Sequence, residues 1–223
     1  MAGEIGPRGI AGCETGGYYA FGRELINPAS EAVKCLPEEI AGAQIFPLIV
    51  PTVFYKSIHV IEQAIAQVDP DVILSIGQAG GRTAMTVERI GINVDDARIM
   101  DNEGQQMIDE PVVQGGPAAY FSTLPIKAMV KAMNDAGVIA SVSNTAGTFV
   151  CNHVMYGVLH LCATQYPEKR AGFVHIPFLP EQTIDKPQIP SMPLEMIVKG
   201  LCAAVEAIVT CHKDISVTGG TEH

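Results

Sequence analysis

The apolar run at residues 71–77, DVILSIG, constrains the fold more than any other segment of the chain. It is bounded by Pro70 on one side and by a glycine-rich loop on the other, and its length is typical of a strand. A strand that is apolar on both faces is typical of the centre of a parallel sheet, because helices cover both faces of such a sheet. The sequence therefore predicts a buried parallel strand here.

The rest of the chain alternates between strand-like and helix-like patterns. Further strands are predicted at residues 44–50, 85–94, 138–142 and 172–177. Helices are predicted to begin at residue 28 and to cover residues 53–68, 124–135, 154–161 and 193–211. This alternation predicts an α/β sandwich with a mostly parallel twisted sheet. The length of 223 residues favours a single domain.

Residues 1–17 do not fit this pattern. They contain many glycines, and the apolar pair Ile10-Ala11 is too short to be a buried strand. We therefore expect no buried strand in this segment, which leaves a cloning remnant, a disordered end and an altered N-terminus as alternatives.

Composition excludes several classes of function. The net charge is −10, which predicts no binding to nucleic acid or to an anionic membrane surface. No apolar run reaches the roughly 20 residues that span a bilayer, and the first residues do not resemble a signal peptide. Because the chain is long and no export signal is visible, we expect the six cysteines to be reduced thiols in a cytoplasmic protein. They form no C-x-x-C pair, so we expect no structural zinc site.

The segment around Cys151 is the strongest candidate for chemistry. Residues 138–142 are predicted as a strand, residues 143–149 supply turn residues, and a helix follows. Cys151 would therefore lie at a helix N-terminus, where the helix dipole and unpaired N–H groups favour a thiolate. The same N–H groups can stabilise an oxyanion.

A nucleophilic cysteine needs a base and a group that orients the base. His175 follows an apolar strand and Glu88 lies within another, and polar groups in such surroundings need partners. For His175, a catalytic and a purely structural role both remain open. Glu88 either serves the site or forms an ion pair with Arg82 or Arg89. His153 is a poor base for Cys151, because a spacing of two places it on another helix face.

Two loops complete the candidate site. Residues 78–82, QAGGR, lack the spacing of known phosphate-binding loops, so a tight turn explains their glycines more simply. Residues 95–118 form a long polar loop, and loops of this length within a compact domain are often functional.

Several motifs occur in the order found in one known family, and together they run from about Gly17 to the last helix. They are residues 27–28 (NP), 50–57 (VPTVFYKS), 77–82 (GQAGGR), 87–93 (VERIGIN), 96–99 (DARI), 101–104 (DNEG), 115–120 (GGPAAY), 143–153 (SNTAGTFVCNH) and 173–177 (FVHIP). With these motifs the chain resembles the type I pyroglutamyl peptidases, a family of cytosolic cysteine peptidases.

The resemblance implies an α/β/α fold, homotetramers, no cofactor or metal, and removal of N-terminal pyroglutamyl residues from peptides. It implies Cys151 as nucleophile, His175 as general base and acid, and Glu88 as the group that orients His175. The substrate residues that it implies are Tyr18, Phe21, Asn27, Thr52, Gln78, Arg98, Ile99, Phe149 and Val150.

The chain departs from the family pattern in the loop at residues 17–23. Tyr19, Ala20 and Arg23 stand where the family has Asp, Pro and Gly, and the strand expected before this loop is not apparent. An inactive pseudoenzyme with a disrupted pocket is therefore an alternative hypothesis. A third is a nucleoside phosphorylase in which Arg82 holds phosphate.

Overall fold

A seven-stranded sheet lies at the centre of the computed structural model, which describes residues 10–15 and 26–220, with side chains from residue 26 onward. The strands in chain order are β1 (Ile10–Thr15), β2 (Glu39–Ile40), β3 (Ala43–Val50), β4 (Val72–Gln78), β5 (Met85–Glu88), β6 (Ile90–Ile92), β7 (Ala119–Phe121), β8 (Ala140–Ser143) and β9 (Arg170–Ile176). The main sheet has the order β2-β3-β1-β4-β9-β5-β8, and β6 pairs with β7 separately.

Most pairs in the main sheet are parallel, as the apolar strands predict. β4 pairs in parallel with β1 on one side and β9 on the other, which confirms its predicted central position. Strand β5 pairs in parallel with β8 but antiparallel with β9. In this antiparallel register Thr86 lies opposite His175, and Glu88, two residues further along β5, comes within hydrogen-bond distance of the same histidine.

Helices cover both faces of the sheet, which confirms the α/β sandwich. They are α1 (Pro28–Lys34), α2 (Lys56–Val68), α3 (Ile126–Asp135), α4 (Val150–Thr164) and α5 (Leu194–Thr210). One apolar core joins α1, α3 and α5 to alternate residues of β4, including Leu74, and the other joins α2 and α4 to Ile73. Within the described ranges, no helix has the length and apolar character needed to cross a membrane.

The expectation that residues 1–17 contain no strand is wrong for residues 10–15. In β1, Ile10 is in register with Ile45 of β3 and with Val72 of β4. Parallel neighbours on both sides supply backbone hydrogen bonds, and this tertiary pairing outweighs the poor strand propensity of the segment. The other residues of the 1–17 segment lie outside the described residues.

The single strand predicted at residues 85–94 is two strands. At Arg89 the backbone exchanges partners, because its N–H donates to the Ser143 carbonyl while its own carbonyl accepts from Ser122 N. The chain therefore leaves the main sheet after β5 and pairs with β7 as β6. The alternation of apolar and polar residues continues through residues 85–94, so the sequence pattern alone did not indicate a break at Arg89.

Asn152 joins the small sheet to α4, one residue after the candidate nucleophile. Its buried amide accepts a hydrogen bond from Ile92 N and donates to the carbonyls of Ile92 and Val94, each at 2.9 Å. These bonds satisfy backbone groups on the side of β6 that faces α4. They also fix the first turn of α4 against the β5–β6 segment.

We expect Asn152→Ala to lower the free energy of unfolding by about 1–3 kcal/mol, because it leaves backbone groups of β6 without partners. Urea denaturation measures the change. The control is Gln63→Ala on the exposed face of α2, where the side chain bonds only to exposed His59. A loss no larger than that of the control would contradict a structural role for Asn152.

Candidate active site

Cys151 is the second residue of α4, as the strand–turn–helix pattern predicts. Strand β8 ends at Ser143, the turn includes Gly147 in the left-handed region (φ +80°), and Phe149 is the extended N-cap residue. Cys151 is partly exposed while its neighbours Val150 and Asn152 are buried. The thiol therefore faces an accessible site beside the N–H groups of the first helical turn, which lack intrahelical partners.

His175 and Glu88 form a hydrogen-bonded pair next to this thiol. The two atoms Nδ1 of His175 and Oε1 of Glu88 lie 2.7 Å apart, and both side chains are almost fully buried. In the antiparallel pairing of β5 with β9, Thr86 is in register with His175. Glu88 lies two residues further along β5, and so on the same face as Thr86.

The charge balance of the site favours an imidazolium. Burial by itself lowers the pKa of His175, but the charge and hydrogen bond of Cys151, and then those of Glu88, outweigh it and raise the pKa to about 9. Burial by itself raises the pKa of Glu88, but His175, the Ser143 hydroxyl and the Arg82 guanidinium hold it below its usual value. The imidazolium is thus stabilised by the thiolate on one side and by the carboxylate on the other.

Glu88 contacts both His175 and one of the two arginines considered as ion-pair partners. Besides His175, its Oε1 accepts a hydrogen bond from Arg82 Nη1 at 2.6 Å. Arg82 also contacts the Thr86 hydroxyl and reaches the Thr145 carbonyl at 3.4 Å. Because its guanidinium is engaged in this way, the structure gives no support to phosphate binding by Arg82. Arg89 instead bonds to Asn144 and to the Gly219 carbonyl.

Two predicted substrate residues, Gln78 and Asn27, lie at the end of β4 and at the start of α1. Gln78 follows Gly77, which is in register with His175. Asn27 is the N-cap of α1, where its Oδ1 accepts from Ala29 N at 3.0 Å. Buried Gln182 connects the two regions, because its Nε2 donates to Gln78 Oε1 at 3.0 Å and to the Ile26 carbonyl at 3.3 Å.

The remaining described candidates lie around the turn before Cys151. The ring of Phe149 packs edge-on against that of Phe54, with 5.4 Å between centroids, and Thr52 lies buried just before Phe54. Val150 is fully buried below Cys151. The loop that carries the exposed Arg98 and Ile99 is attached to the same turn, because the backbones of Asp96 and Thr148 are hydrogen-bonded. Tyr18 and Phe21 lie outside the described residues.

Asp101 holds this loop against the segment that carries Thr52. One of its carboxylate oxygens accepts from Phe54 N at 3.0 Å, and the other accepts from the N–H groups of Glu103 and Gln105. The Thr52 carbonyl in turn accepts from Asn102 N at 3.1 Å. The long polar loop is therefore a folded wall of the site.

Sequence reasoning missed two polar groups near the site. Gln182 carried no motif, and no sequence signal indicated that it would be buried. His153 is confirmed as unsuited to serve Cys151, but its bond to Asp95 was not foreseen: its Nδ1 lies 2.6 Å from the buried Asp95 carboxylate, and its Nε2 accepts from Tyr55 N. The two residues lie 58 positions apart in the chain, and no sequence pattern indicated that they would pair. Among the residues with described side chains, no cluster of His, Cys, Asp and Glu could hold a metal ion.

The Cys151 thiolate is the strongest favourable influence on the His175 proton, so Cys151→Ser should lower the pKa of His175 from about 9 toward its ordinary value. An NMR titration of the imidazole C–H signals measures it. The matched control is Cys202→Ser in α5, a partly buried thiol remote from His175, which should leave the titration unchanged. An unchanged pKa in Cys151→Ser would show that the two groups do not interact.

Comparison with known proteins gives a single result. The family model described as pyroglutamyl peptidase matches residues 14–211. The pyrrolidone-carboxylate peptidase of Clostridium perfringens (strain SM101 / Type A) is 57% identical over 204 residues, which cover 92% of this chain and 96% of the relative. That of Treponema denticola is 59% identical over 208 residues, with the same coverage.

A solved structure agrees with these relatives. The crystal structure of pyroglutamyl peptidase I from Bacillus amyloliquefaciens matches with a TM-score of 0.91 and 43% identity, covering 96% of this chain and 100% of that one. The sequence, the fold and the thiol–imidazole–carboxylate site thus lead to the same assignment. The chain belongs to the pyroglutamyl peptidase family.

Proposed function

We propose that this protein is a cysteine peptidase that removes N-terminal pyroglutamyl (5-oxoproline) residues from peptides. The observation that carries the proposal is the contact series from Glu88 through His175 to Cys151, in a chain whose relatives are named pyrrolidone-carboxylate peptidases. In it, Cys151 is the nucleophile, His175 the general acid and base, and Glu88 the group that orients the imidazole.

In the first half-reaction the Cys151 thiolate attacks the carbonyl carbon of the pyroglutamyl residue. The negative charge that develops on the carbonyl oxygen is stabilised by N–H groups at the start of α4 and by the helix dipole. The C–N bond then breaks as the His175 imidazolium gives its proton to the departing amine. The products are a shortened peptide and a thioester on Cys151.

In the second half-reaction water cleaves the thioester. Neutral His175 takes a proton from the water molecule while the water oxygen attacks the thioester carbonyl carbon. The C–S bond then breaks and 5-oxoproline is released. The thiolate and the imidazolium are then restored. Glu88 stays ionised throughout, because His175, the Ser143 hydroxyl and Arg82 hold its pKa below the usual value despite burial.

The substrate pocket fits a neutral ring. A pyroglutamyl residue has no N-terminal ammonium group, so it can enter an apolar wall without the cost of burying a charge. We place the ring against Phe149 and Thr52, with Tyr18, Phe21, Val150 and Ile99 as further lining. Asn27, Gln78 and Arg98 are proposed to supply polar contacts.

We also propose a homotetramer in the cytoplasm. The tetramer follows from the family resemblance, and analytical ultracentrifugation tests it. The location follows from the chemistry, because a reducing compartment keeps a catalytic thiol out of disulfides.

The pseudoenzyme alternative has no specific observation in its favour. It began from the apparent loss of a strand before the substituted loop, but β1 occupies that place in the sheet. Relatives that share more than half of the aligned residues are named as peptidases.

Cys151→Ser should abolish release of a fluorophore from a pyroglutamyl amide, with a fall in kcat/KM of more than about 1,000-fold, because the hydroxyl is a far weaker nucleophile than a thiolate. A fluorimetric assay of purified protein measures it.

The control is Cys202→Ser, which should keep the activity of the parent protein. Residual activity of Cys151→Ser equal to that of this control would refute the nucleophile assignment. A folded parent protein with no turnover would instead support the pseudoenzyme.

A further inference from the structure

We propose that Arg82 is a positioning residue that sets the acid strength of the His175 imidazolium by acting through Glu88. The inference rests on the proposed peptidase function, since it concerns how the acid and base of that reaction is adjusted.

Arg82 contacts Glu88 at the same carboxylate oxygen as His175 does. Arg82 Nη1 lies 2.6 Å from Oε1 of Glu88, and His175 Nδ1 lies 2.7 Å from the same oxygen. Two cationic groups therefore share one acceptor atom. Each hydrogen bond weakens the hold of the oxygen on the other donor, so Arg82 reduces the share of the carboxylate charge that His175 receives.

The carboxylate and the imidazole are buried, and the guanidinium is mostly buried beside them. The Glu88 side chain has 0% exposure, that of His175 4% and that of Arg82 27%. Charges interact strongly where water is excluded, so repulsion between the guanidinium and the imidazolium is only partly screened. Arginine side chains carry a permanent charge in proteins, so this repulsion is constant while His175 titrates.

The surroundings of His175 leave Arg82 as the group that can exert this effect. Among the described residues, the titratable groups that face His175 are Cys151 from α4 and Glu88 from β5, while β4 presents Gly77 and the uncharged Gln78. Arg82 comes from the β4–β5 connection and reaches His175 only through Glu88. Cys151 and Glu88 raise the pKa of His175, and the Arg82 guanidinium thus acts against them.

Arg82 also connects the carboxylate to the segment that precedes the nucleophile. Its Nη2 donates to the Thr145 carbonyl at 3.4 Å, and Thr145 lies in the turn between β8 and α4. A cavity of about 320 Å³ lies beside the guanidinium, lined by Arg82, Thr86 and residues 141–145. A small cation can therefore approach Glu88 from this side when the Arg82 side chain is shortened.

The main test is the pH profile of kcat/KM for hydrolysis of a pyroglutamyl amide. The basic limb of this profile reports loss of the His175 proton from the thiolate–imidazolium pair. In Arg82→Met the repelling cation is gone, so the imidazolium keeps its proton to higher pH. We expect the basic limb to move up by about one pH unit and kcat/KM at neutral pH to fall by about 10- to 100-fold.

The matched control is Arg89→Met, a change of the same type seven residues away. Arg89 bonds to Asn144 and Gly219 rather than to Glu88, so its loss should leave the basic limb in place. Arg82→Lys, which keeps the charge, should keep the limb within the error of the parent profile. If Arg82→Met does not fold, Arg82→Gln replaces it with the same expected shift.

A second measurement tests the site of action. Guanidinium ion at millimolar concentration should restore activity to Arg82→Ala, because it can bind Glu88 through the cavity, and should leave Arg89→Ala unchanged. An unmoved or lowered basic limb in Arg82→Met, or equal guanidinium responses of the two alanine variants, would overturn the proposal.

The rate of Cys151 alkylation by iodoacetamide, followed by peptide mapping, separates this inference from the proposed function. It reports the thiolate–imidazolium pair without any substrate. A parent protein that is alkylated rapidly at neutral pH but hydrolyses no pyroglutamyl amide would refute the function alone. Identical alkylation profiles for the parent and Arg82→Met would refute the role of Arg82 alone.

Discussion

The buried carboxylate of Glu88 is the interaction on which the rest of the site depends. A charge with no solvent exposure must be paired, and Glu88 is paired with two cations on one oxygen. Each pairing constrains a different part of the chain. The bond to His175 links Glu88 on β5 to β9. The bond to Arg82 links Glu88 to the β4–β5 connection and, because Arg82 also reaches Thr145, to the turn before α4. If this carboxylate were neutral, neither cation would have its partner and the thiol would lose an oriented imidazole.

The topology of the sheet brings Glu88, His175 and the turn before Cys151 together. Strands β4 and β9 are parallel, so their C-terminal ends lie at one edge of the sheet, where ligands of such sheets usually bind, and they deliver Gln78 and His175 there. Strand β8 runs in the opposite direction, and the turn that leads to Cys151 follows it. Strand β5 runs parallel to β8 and antiparallel to β9, so it presents Glu88 beside both Ser143 and His175. The chain then leaves the main sheet at Arg89, which frees the segment after β5 to support α4 through Asn152.

Sequence patterns predicted the parts of this arrangement that local chemistry determines. The run at residues 71–77 identified the central strand, and the turn residues before Cys151 placed the thiol at a helix start. The failures have a common cause, because they depend on distant partners. Strand β1 forms because β3 and β4 pair with it, and its own residues gave no strand pattern. The break at Arg89 occurs because the backbone changes its pairing partner there. The two roles of Glu88 appeared as alternatives because sequence cannot show that one oxygen accepts from both cations.

Comparison of two histidines shows what separates a reactive imidazole from a structural one. His153 and His175 both place Nδ1 on a buried carboxylate, Asp95 or Glu88, at 2.6 and 2.7 Å. The difference lies at Nε2. In His153 this nitrogen accepts the backbone N–H of Tyr55, so its lone pair is occupied and the ring holds a loop in place. In His175 the far side of the ring meets the Cys151 thiol, a group that can exchange a proton with it. A buried carboxylate therefore orients either histidine equally well, and the identity of the third partner decides whether the pair holds structure or moves protons.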